Sequence, residues 1–163
     1  MGTGRLIGIA RRARARAPME ELRSVAVTAA AGVQGDFRGA VRPNAKAGKK
    51  PRRQVSLMEI ESWRAALDGL NASDLFGERP VWHSRRANLL VEGLRFPRET
   101  VYVVAIGQSL RIAITMECDP CSRMEEVVPG LKGALMPDWR GGVLGMVLED
   151  GEIAVGDEIR IER

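Results

Sequence analysis

Residues 143–161, VLGMVLEDGEIAVGDEIRI, carry the clearest fold signal in the chain. They predict two β-strands, 143–148 and 152–161, joined by Asp150-Gly151, a dipeptide typical of tight hairpin turns. A second hairpin is predicted from strands 101–106 and 110–116, which flank Gly107-Gln-Ser109. Shorter apolar runs predict strands at 6–10, 22–29, 54–57 and 88–91, and helices at 58–67 and 122–128. Many short strands with few helices predict a mainly β (β-rich α+β) fold, a closed or nearly closed β-barrel with short helical insertions.

Length and composition narrow the class of protein. The 163 residues, 45% of them hydrophobic, fit one globular domain over 1–163. No window approaches the roughly twenty apolar residues of a membrane span, and the apolar run at 6–10 is too short for a signal peptide. The two cysteines, Cys118 and Cys121, stand only three positions apart, which argues against a disulfide scaffold. We therefore expect a cytoplasmic protein.

Positive charge is concentrated in one block of the sequence. The formal net charge is +4, but residues 38–53 contain seven basic residues and no acidic one. Two glycines and two prolines within the block predict a loop. This loop is either a solvated segment or an electropositive lip that attracts a phosphate-bearing ligand. Nucleic acid is the least favoured partner, because aromatic residues total only 4% and leave little surface for base stacking.

Both cysteines follow the predicted strand 110–116, in the segment Glu117-Cys-Asp-Pro-Cys-Ser-Arg123. A cysteine at the end of a strand and beside a cation can serve as a nucleophile, a sulfur carrier or a soft-metal ligand. The alternative for Cys121 is a small buried hydrophobe. Arg123 favours a thiolate at Cys121, whereas Glu117 and Asp119 oppose it, so charge alone does not decide between these roles.

Other common sites are excluded by the sequence. The sole histidine, His83, cannot form a multi-histidine zinc site. No Gly-x-x-x-x-Gly-Lys-Ser/Thr phosphate loop and no Gly-x-Ser-x-Gly nucleophile turn occurs. The Cys-x-x-Cys spacing matches redox motifs, but the βαβ pattern that accompanies them is not evident.

Short motifs follow one another in order along almost the whole chain. They are Gly4-Arg-Leu-Ile-Gly-Ile-Ala10, Pro18-Met-Glu-Glu21, Gly32-Val-Gln-Gly-Asp36, Arg53-Gln-Val-Ser-Leu57, Arg86-Ala-Asn-Leu89, Pro120-Cys121, Arg140-Gly-Gly142, Gly151-Glu-Ile153 and Gly156-Asp157. Together the series resembles the MOSC family, the domain named for the C-terminal part of molybdenum cofactor sulfurase. The chain departs from the family at Phe37, since a histidine commonly follows the Gly-x-x-Gly-Asp turn.

The resemblance implies a barrel-like fold with one cysteine that binds molybdenum or carries sulfur for the molybdenum cofactor (molybdopterin). Cys121 matches that cysteine and is the predicted catalytic residue and metal ligand. Arg86 and Asn88 match the arginine and asparagine that contact the pterin. Guanidinium forks suit the phosphate group of such a cofactor. The predicted cofactor-binding residues are Arg53, Arg86, Asn88, Arg123 and Arg140.

The resemblance also implies two activities, each with its own partner. As a molybdenum-dependent oxidoreductase that reduces N-hydroxylated compounds, the chain needs a separate electron-transfer protein, because it has no flavin, haem or iron–sulfur signature. As a sulfur transferase, it needs a pyridoxal-phosphate cysteine desulfurase to load Cys121 with a persulfide. The alternatives are a non-catalytic cofactor- or anion-binding module and a basic nucleic-acid-binding adaptor.

Overall fold

The computed structural model describes residues 2–40, 51–70 and 79–163 of the chain, and most of its regular structure is strand. The strands are Thr3–Arg11 (β1), Glu20–Leu22 (β2), Ser24–Thr28 (β3), Gly32–Val33 (β4), Val55–Glu59 (β5), Leu89–Glu92 (β6), Val103–Ile106 (β7), Leu110–Glu117 (β8), Val143–Glu149 (β9), Gly151–Ala154 (β10) and Glu158–Glu162 (β11). The helices are Ile60–Leu70 (α1), Met124–Val127 (α2) and Leu131–Leu135 (α3), with 3₁₀ turns at Trp82–Arg85 and Pro137–Trp139.

Seven strands close into a barrel. Their hydrogen-bonded order is β11, β7, β8, β9, β5, β6 and β1, and residues 3–5 of β1 pair with residues 158–160 of β11 to complete the ring. Neighbouring strands are antiparallel except β5 and β6, which run parallel. A parallel pair requires a crossover connection, and α1 lies within that connection. The predicted closed β-barrel is confirmed.

Buried and half-exposed side chains alternate along the barrel strands. In β8, Leu110, Ile112 and Ile114 are almost fully buried, whereas the intervening Arg111 and Thr115 are half-exposed. This period of two directs one set of side chains into the barrel and the other set to the outside. Each fully buried Leu or Ile contributes about 1.5–3 kcal/mol relative to an exposed one. The interior therefore stabilises the closed ring.

A second apolar cluster lies between the barrel wall and the helices. Trp63 and Leu67 of α1 pack with Leu131 and Leu135 of α3, and the four side chains are buried. Leu90 of β6 belongs to the same cluster, which fixes the helices against the outside of the barrel. In the described residues, no helix has the length and apolarity needed to cross a bilayer.

The predictions for individual strands, helices and turns agree with the structure in part. The hairpin around Gly107 is confirmed, since β7 and β8 pair antiparallel and Gly107 has a φ of 63°. The helices predicted at 58–67 and 122–128 are present over shorter or shifted ranges, and α3 was not predicted. The strand predicted at 22–29 is divided into β2 and β3 at Arg23.

The hairpin predicted at Asp150-Gly151 is wrong. After Gly151 the chain enters a separate three-stranded sheet, in which β10 pairs with β3 and β3 pairs with β4. Strand β9 cannot take β10 as a partner because β8 and β5 already occupy its two edges. Asp150 instead accepts the N–H of Ala29 at 2.7 Å, which ties the turn to the end of β3. The strand predicted at 152–161 is likewise two strands, β10 and β11, separated at Gly156, which has a φ of 105°.

Candidate functional site

A cavity of about 290 Å³ collects side chains that lie far apart in the sequence. Its cationic side chains are Arg12, Arg38, Arg53, Arg85, Arg86 and Arg123. Two carboxylates, Asp36 and Asp119, and two thiols, Cys118 and Cys121, complete its charged and nucleophilic lining. Six guanidinium groups facing two carboxylates make this an anion-attracting site.

The thiols occupy the segment that follows β8. Cys121 is exposed and Cys118 is half-buried, and neither is in a disulfide. The N–H of Cys118 donates to the carbonyl of Gly142 at 2.9 Å, and the carbonyl of Cys121 accepts the N–H of Met124 at 3.0 Å. The backbone at Cys118 is therefore held by the neighbouring loop, while Cys121 begins the turn into α2.

Arg85 fixes this segment from within the protein. Its side chain is buried, and its Nη2 donates to the carbonyl oxygens of Cys118 at 2.9 Å and of Gly141 at 3.0 Å. The same Nη2 lies 3.3 Å from the Sγ of Cys118. A side chain at Gly141 would place its Cβ 2.4 Å from the Cys118 carbonyl and 3.1 Å from Arg85 Nη2. Glycine at 141 thus lets the two loops approach each other closely enough for Arg85 to bridge them.

The opposite side of the cavity is organised by Asp36. This buried carboxylate accepts the backbone N–H groups of Arg12 at 3.1 Å and of Arg38 at 3.4 Å. The guanidinium groups of the same two arginines flank the ring of Phe37, at 4.8 Å and 5.3 Å from its centroid. Phe37, the residue at which the chain departs from the family pattern, therefore stacks with cations that line the cavity.

Arg12 is a buried cation of the cavity whose charge is only partly compensated. Burial lowers its pKa, as do the nearby charges of Arg86 and Arg38, while Asp36 acts in the opposite direction. Its Nη1 is buried without a hydrogen-bond partner in the described residues, and the same holds for Nε of Arg85. Buried polar groups are normally paired, so these two nitrogens indicate a place for an acceptor.

Asn88 holds three strands together at the cavity wall. Its Nδ2 donates to the carbonyl of Ala10 at 3.1 Å, next to the end of β1. Its Oδ1 accepts from the backbone N–H of Ser56 at 3.1 Å and from the Ser56 hydroxyl at 3.2 Å. One Nδ2 hydrogen remains for a ligand, because a carboxamide carries two.

Glu117, the residue before Cys118, carries a half-buried carboxyl group. Burial raises the pKa of Glu117, and the neighbouring Asp119 raises it further through its charge and a side-chain hydrogen bond. The uncharged form of this carboxyl is therefore favoured more than that of an ordinary glutamate.

Five of the six predicted site residues line the cavity: Arg53, Arg86, Asn88, Cys121 and Arg123. Arg140 does not. Its Nη1 donates to the carbonyl of Ala134 at 3.1 Å, and its side chain borders another cavity beside Glu59 and Glu61. Asp138 and Trp139 have φ angles of 54° and 52°, and this kink directs Arg140 towards α3.

Sequence reasoning missed Arg12 and Arg85, the two most buried cations of the cavity. Of the basic block at 38–53, Arg38 and Arg53 line the cavity. Arg42, Lys46, Lys49 and Lys50 lie outside the described residues.

The family model for the MOSC domain matches residues 44–160. Among solved structures, the YUAD protein of Bacillus subtilis is similar with a TM-score of 0.76 and 20% identity, over 98% of this chain and 96% of that chain. YiiM from Escherichia coli is similar with a TM-score of 0.64 and 14% identity, over 98% of this chain and 70% of that chain. YiiM from Geobacillus stearothermophilus gives a TM-score of 0.62 and 13% identity, over 99% and 76% of the two chains. At these identities the structures establish the fold alone. No curated protein matches the sequence significantly.

Proposed function

The chain belongs to the MOSC family, and from this membership we propose that it binds the molybdenum cofactor in the arginine-rich cavity, with Cys121 as the metal ligand. One observation carries the proposal: two thiols and six arginines share a single cavity. A thiolate is a soft ligand of the kind that suits molybdenum, and guanidinium groups suit the phosphate of the pterin.

The residues of the cavity fit such a ligand. The partnerless nitrogens of Arg12 and Arg85 are donors in need of an acceptor. Arg86, whose Nη1 is engaged by the Ala17 carbonyl at 2.7 Å, keeps other N–H groups for a ligand. Asn88 keeps one amide hydrogen for the pterin edge.

Each part of the cavity then has a task. The arginines around Asp36 bind the anionic end of the ligand, and Cys121 supplies the sulfur. The bound cofactor would supply a redox-active metal centre. A substrate would approach from the side on which Cys121 is exposed.

A second candidate function is sulfur transfer, and the exposure of Cys121 favours it. A thiol that receives sulfur from a desulfurase must be reachable by another protein. In this case Cys121 carries the sulfur as a persulfide, and the cavity receives the acceptor cofactor. A cytoplasmic location agrees with both candidates and stays a prediction.

Metal content tests cofactor binding. The protein is purified from a host that makes molybdenum cofactor, and native mass spectrometry with elemental analysis measures pterin and metal per chain. We expect molybdenum to co-purify with the wild type and to fall at least about tenfold in Cys121→Ser, since the thiolate is the direct ligand. The matched control is Ser122→Ala, which changes the exposed neighbour and should keep the metal.

The outcomes separate the alternatives. Full metal in Cys121→Ser contradicts the ligand role of this sulfur. Metal binding without turnover of an N-hydroxylated base, in the presence of an electron-transfer chain, indicates the non-catalytic module. Binding of DNA or RNA with no pterin or metal supports the nucleic-acid adaptor.

A further inference from the structure

Cys118 borders the same cavity as Cys121, with only Asp119 and Pro120 between them. The two thiols differ in their surroundings. Cys121 is exposed, whereas Cys118 is half-buried and its main chain is held at both N–H and carbonyl. A donor protein can reach Cys121 more easily than Cys118, and the cavity is open to both.

Arg85 distinguishes Cys118 further. Arg85 is only 6% exposed, and a buried cation needs compensation from its neighbours. In the described parts of the chain, its hydrogen-bond acceptors are the carbonyls of Cys118 and Gly141 and the sulfur of Cys118. Of these three acceptors, only the sulfur can carry a negative charge. Arg85 therefore places a guanidinium group beside the Cys118 sulfur, the atom that would attack the persulfide.

We propose that Cys118 is the resolving thiol of this site, which discharges a persulfide carried by Cys121. This inference rests on the sulfur-transfer form of the proposed function. The Cys118 thiolate attacks the Sγ of Cys121, and a disulfide bond forms between the two cysteines. The bond between Cys121 Sγ and the outer sulfur breaks, and that sulfur leaves with the electron pair as hydrosulfide. The Cys118 sulfur is oxidised from a thiolate to the disulfide level, the Cys121 sulfur keeps the oxidation level that it has in the persulfide, and the outer sulfur is reduced to sulfide. An external thiol then reduces the disulfide and restores the site.

The arginines determine where the sulfide is released. The hydrosulfide anion is released into a cavity lined by six guanidinium groups, where an anion is stabilised and an acceptor cofactor would be bound. Release of sulfide at this point delivers the sulfur inside the protein rather than to bulk solvent.

The experiment loads the reduced full chain with inorganic polysulfide under anaerobic conditions and removes the excess by gel filtration. Intact and peptide mass spectrometry then locate added sulfur and disulfide, and a colorimetric assay measures released sulfide. For the wild type we expect a Cys118–Cys121 disulfide and one sulfide per chain. For Cys118→Ser we expect one added sulfur atom retained on Cys121, with sulfide release at least about tenfold slower. Serine keeps an oxygen near Arg85, so this variant perturbs the fold little.

Several results would overturn the proposal. The first is a wild type that retains a stable persulfide on Cys121, which leaves sulfur carriage intact but removes the resolving role. The second is sulfide release from Cys118→Ser at the wild-type rate. The third is added sulfur on Cys118 in Cys121→Ser, together with none on Cys121 in Cys118→Ser, which would reverse the roles of the two thiols. If Cys121 takes up no sulfur even in Cys118→Ser, sulfur carriage itself fails, and the resolving role fails with it. The wild-type disulfide is measured independently, so the test does not depend on the folding of any variant.

Discussion

Arg12 is a buried cation whose closest charged neighbours mostly carry the same charge. The nearby carboxylate of Asp36 uses its two oxygens to accept backbone N–H groups of Arg12 and Arg38. Among the residues that the structure describes, the guanidinium of Arg12 therefore has no direct ion pair. Burial and the charges of Arg86 and Arg38 lower the pKa of Arg12, which means that its charge costs stability at neutral pH. An anion bound in the cavity would compensate this charge.

Replacement of Arg12 tests this explanation. We expect Arg12→Gln to weaken binding of inorganic phosphate about tenfold, because a charge-assisted donor is lost. The free energy of unfolding should stay within about 1 kcal/mol, because relief of repulsion offsets the lost contact with Phe37. Isothermal titration calorimetry measures the binding, and urea unfolding measures the stability.

The matched control for Arg12 is Arg160→Gln on β11, outside the cavity, where the guanidinium bonds Glu158 at 3.1 Å. This change should leave phosphate binding unaltered. Equal phosphate binding by Arg12→Gln and the wild type would contradict the anion role of Arg12.

Local sequence does not identify the buried arginines. Arg12 stands among Arg11, Arg14 and Arg16, and Arg85 stands beside Arg86, so composition offers no way to tell which cation is interior. Burial is set by long-range contacts, such as the one between Asp36 and the backbone of Arg12. The motif and the chemistry of Cys121 both marked it as a candidate, and the structure places it at the cavity.

At the scale of elements, Asn88 connects β6 to β1 and β5. Its side chain bonds Ala10 on one side and Ser56 on the other, and it is only 5% exposed. These bonds satisfy backbone groups where three strands meet beside the cavity. The amide therefore holds the wall of the cavity in shape and also forms part of its lining.

We expect Asn88→Ala to lower the free energy of unfolding by about 2–5 kcal/mol, because two buried backbone groups, the Ala10 carbonyl and the Ser56 N–H, lose a partner. The control, Ser56→Ala, removes only the hydroxyl and should cost about 1 kcal/mol. Urea unfolding of both variants checks the order. A smaller loss in Asn88→Ala than in Ser56→Ala would be inconsistent with this bridging role.

The two predicted hairpins show why some element pairings follow from sequence and others do not. At Gly107 the strands on both sides of the turn have free edges for each other, and the local turn chemistry gives the right pairing. At Asp150 the turn chemistry is as favourable, but β9 already has partners on both edges. Turn residues specify where the chain bends, whereas edge availability, a property of the whole sheet, specifies the partner.

At the scale of the molecule, closure of the barrel brings the cavity together. Arg12 follows β1, Arg53 precedes β5, Arg85 and Arg86 precede β6, and the thiols follow β8. These segments meet only when β1 pairs with both β6 and β11. The ordered motifs allowed the fold class to be predicted, but the composition of the cavity depends on contacts that no single segment encodes.

The two ends of β8 give the molecule opposite responses to pH. At one end, burial and Asp119 raise the pKa of Glu117, so the ionised form of Glu117 lowers the stability of the protein. This loss of stability develops as pH rises from the ordinary carboxyl pKa to the raised pKa. At the other end, Arg111 bonds Glu162 at 3.0 Å and lowers its pKa, so this carboxylate adds stability that is lost as pH falls through the lowered pKa.

We therefore expect Glu117→Gln to gain stability over the wild type as pH rises. We expect Glu162→Gln to be less stable than the wild type at neutral pH, with a deficit that shrinks in acid and in high salt. Urea unfolding of the three proteins from about pH 3 to about pH 8 measures the differences. Parallel stability curves for both variants would show that neither carboxyl senses the environment described for it.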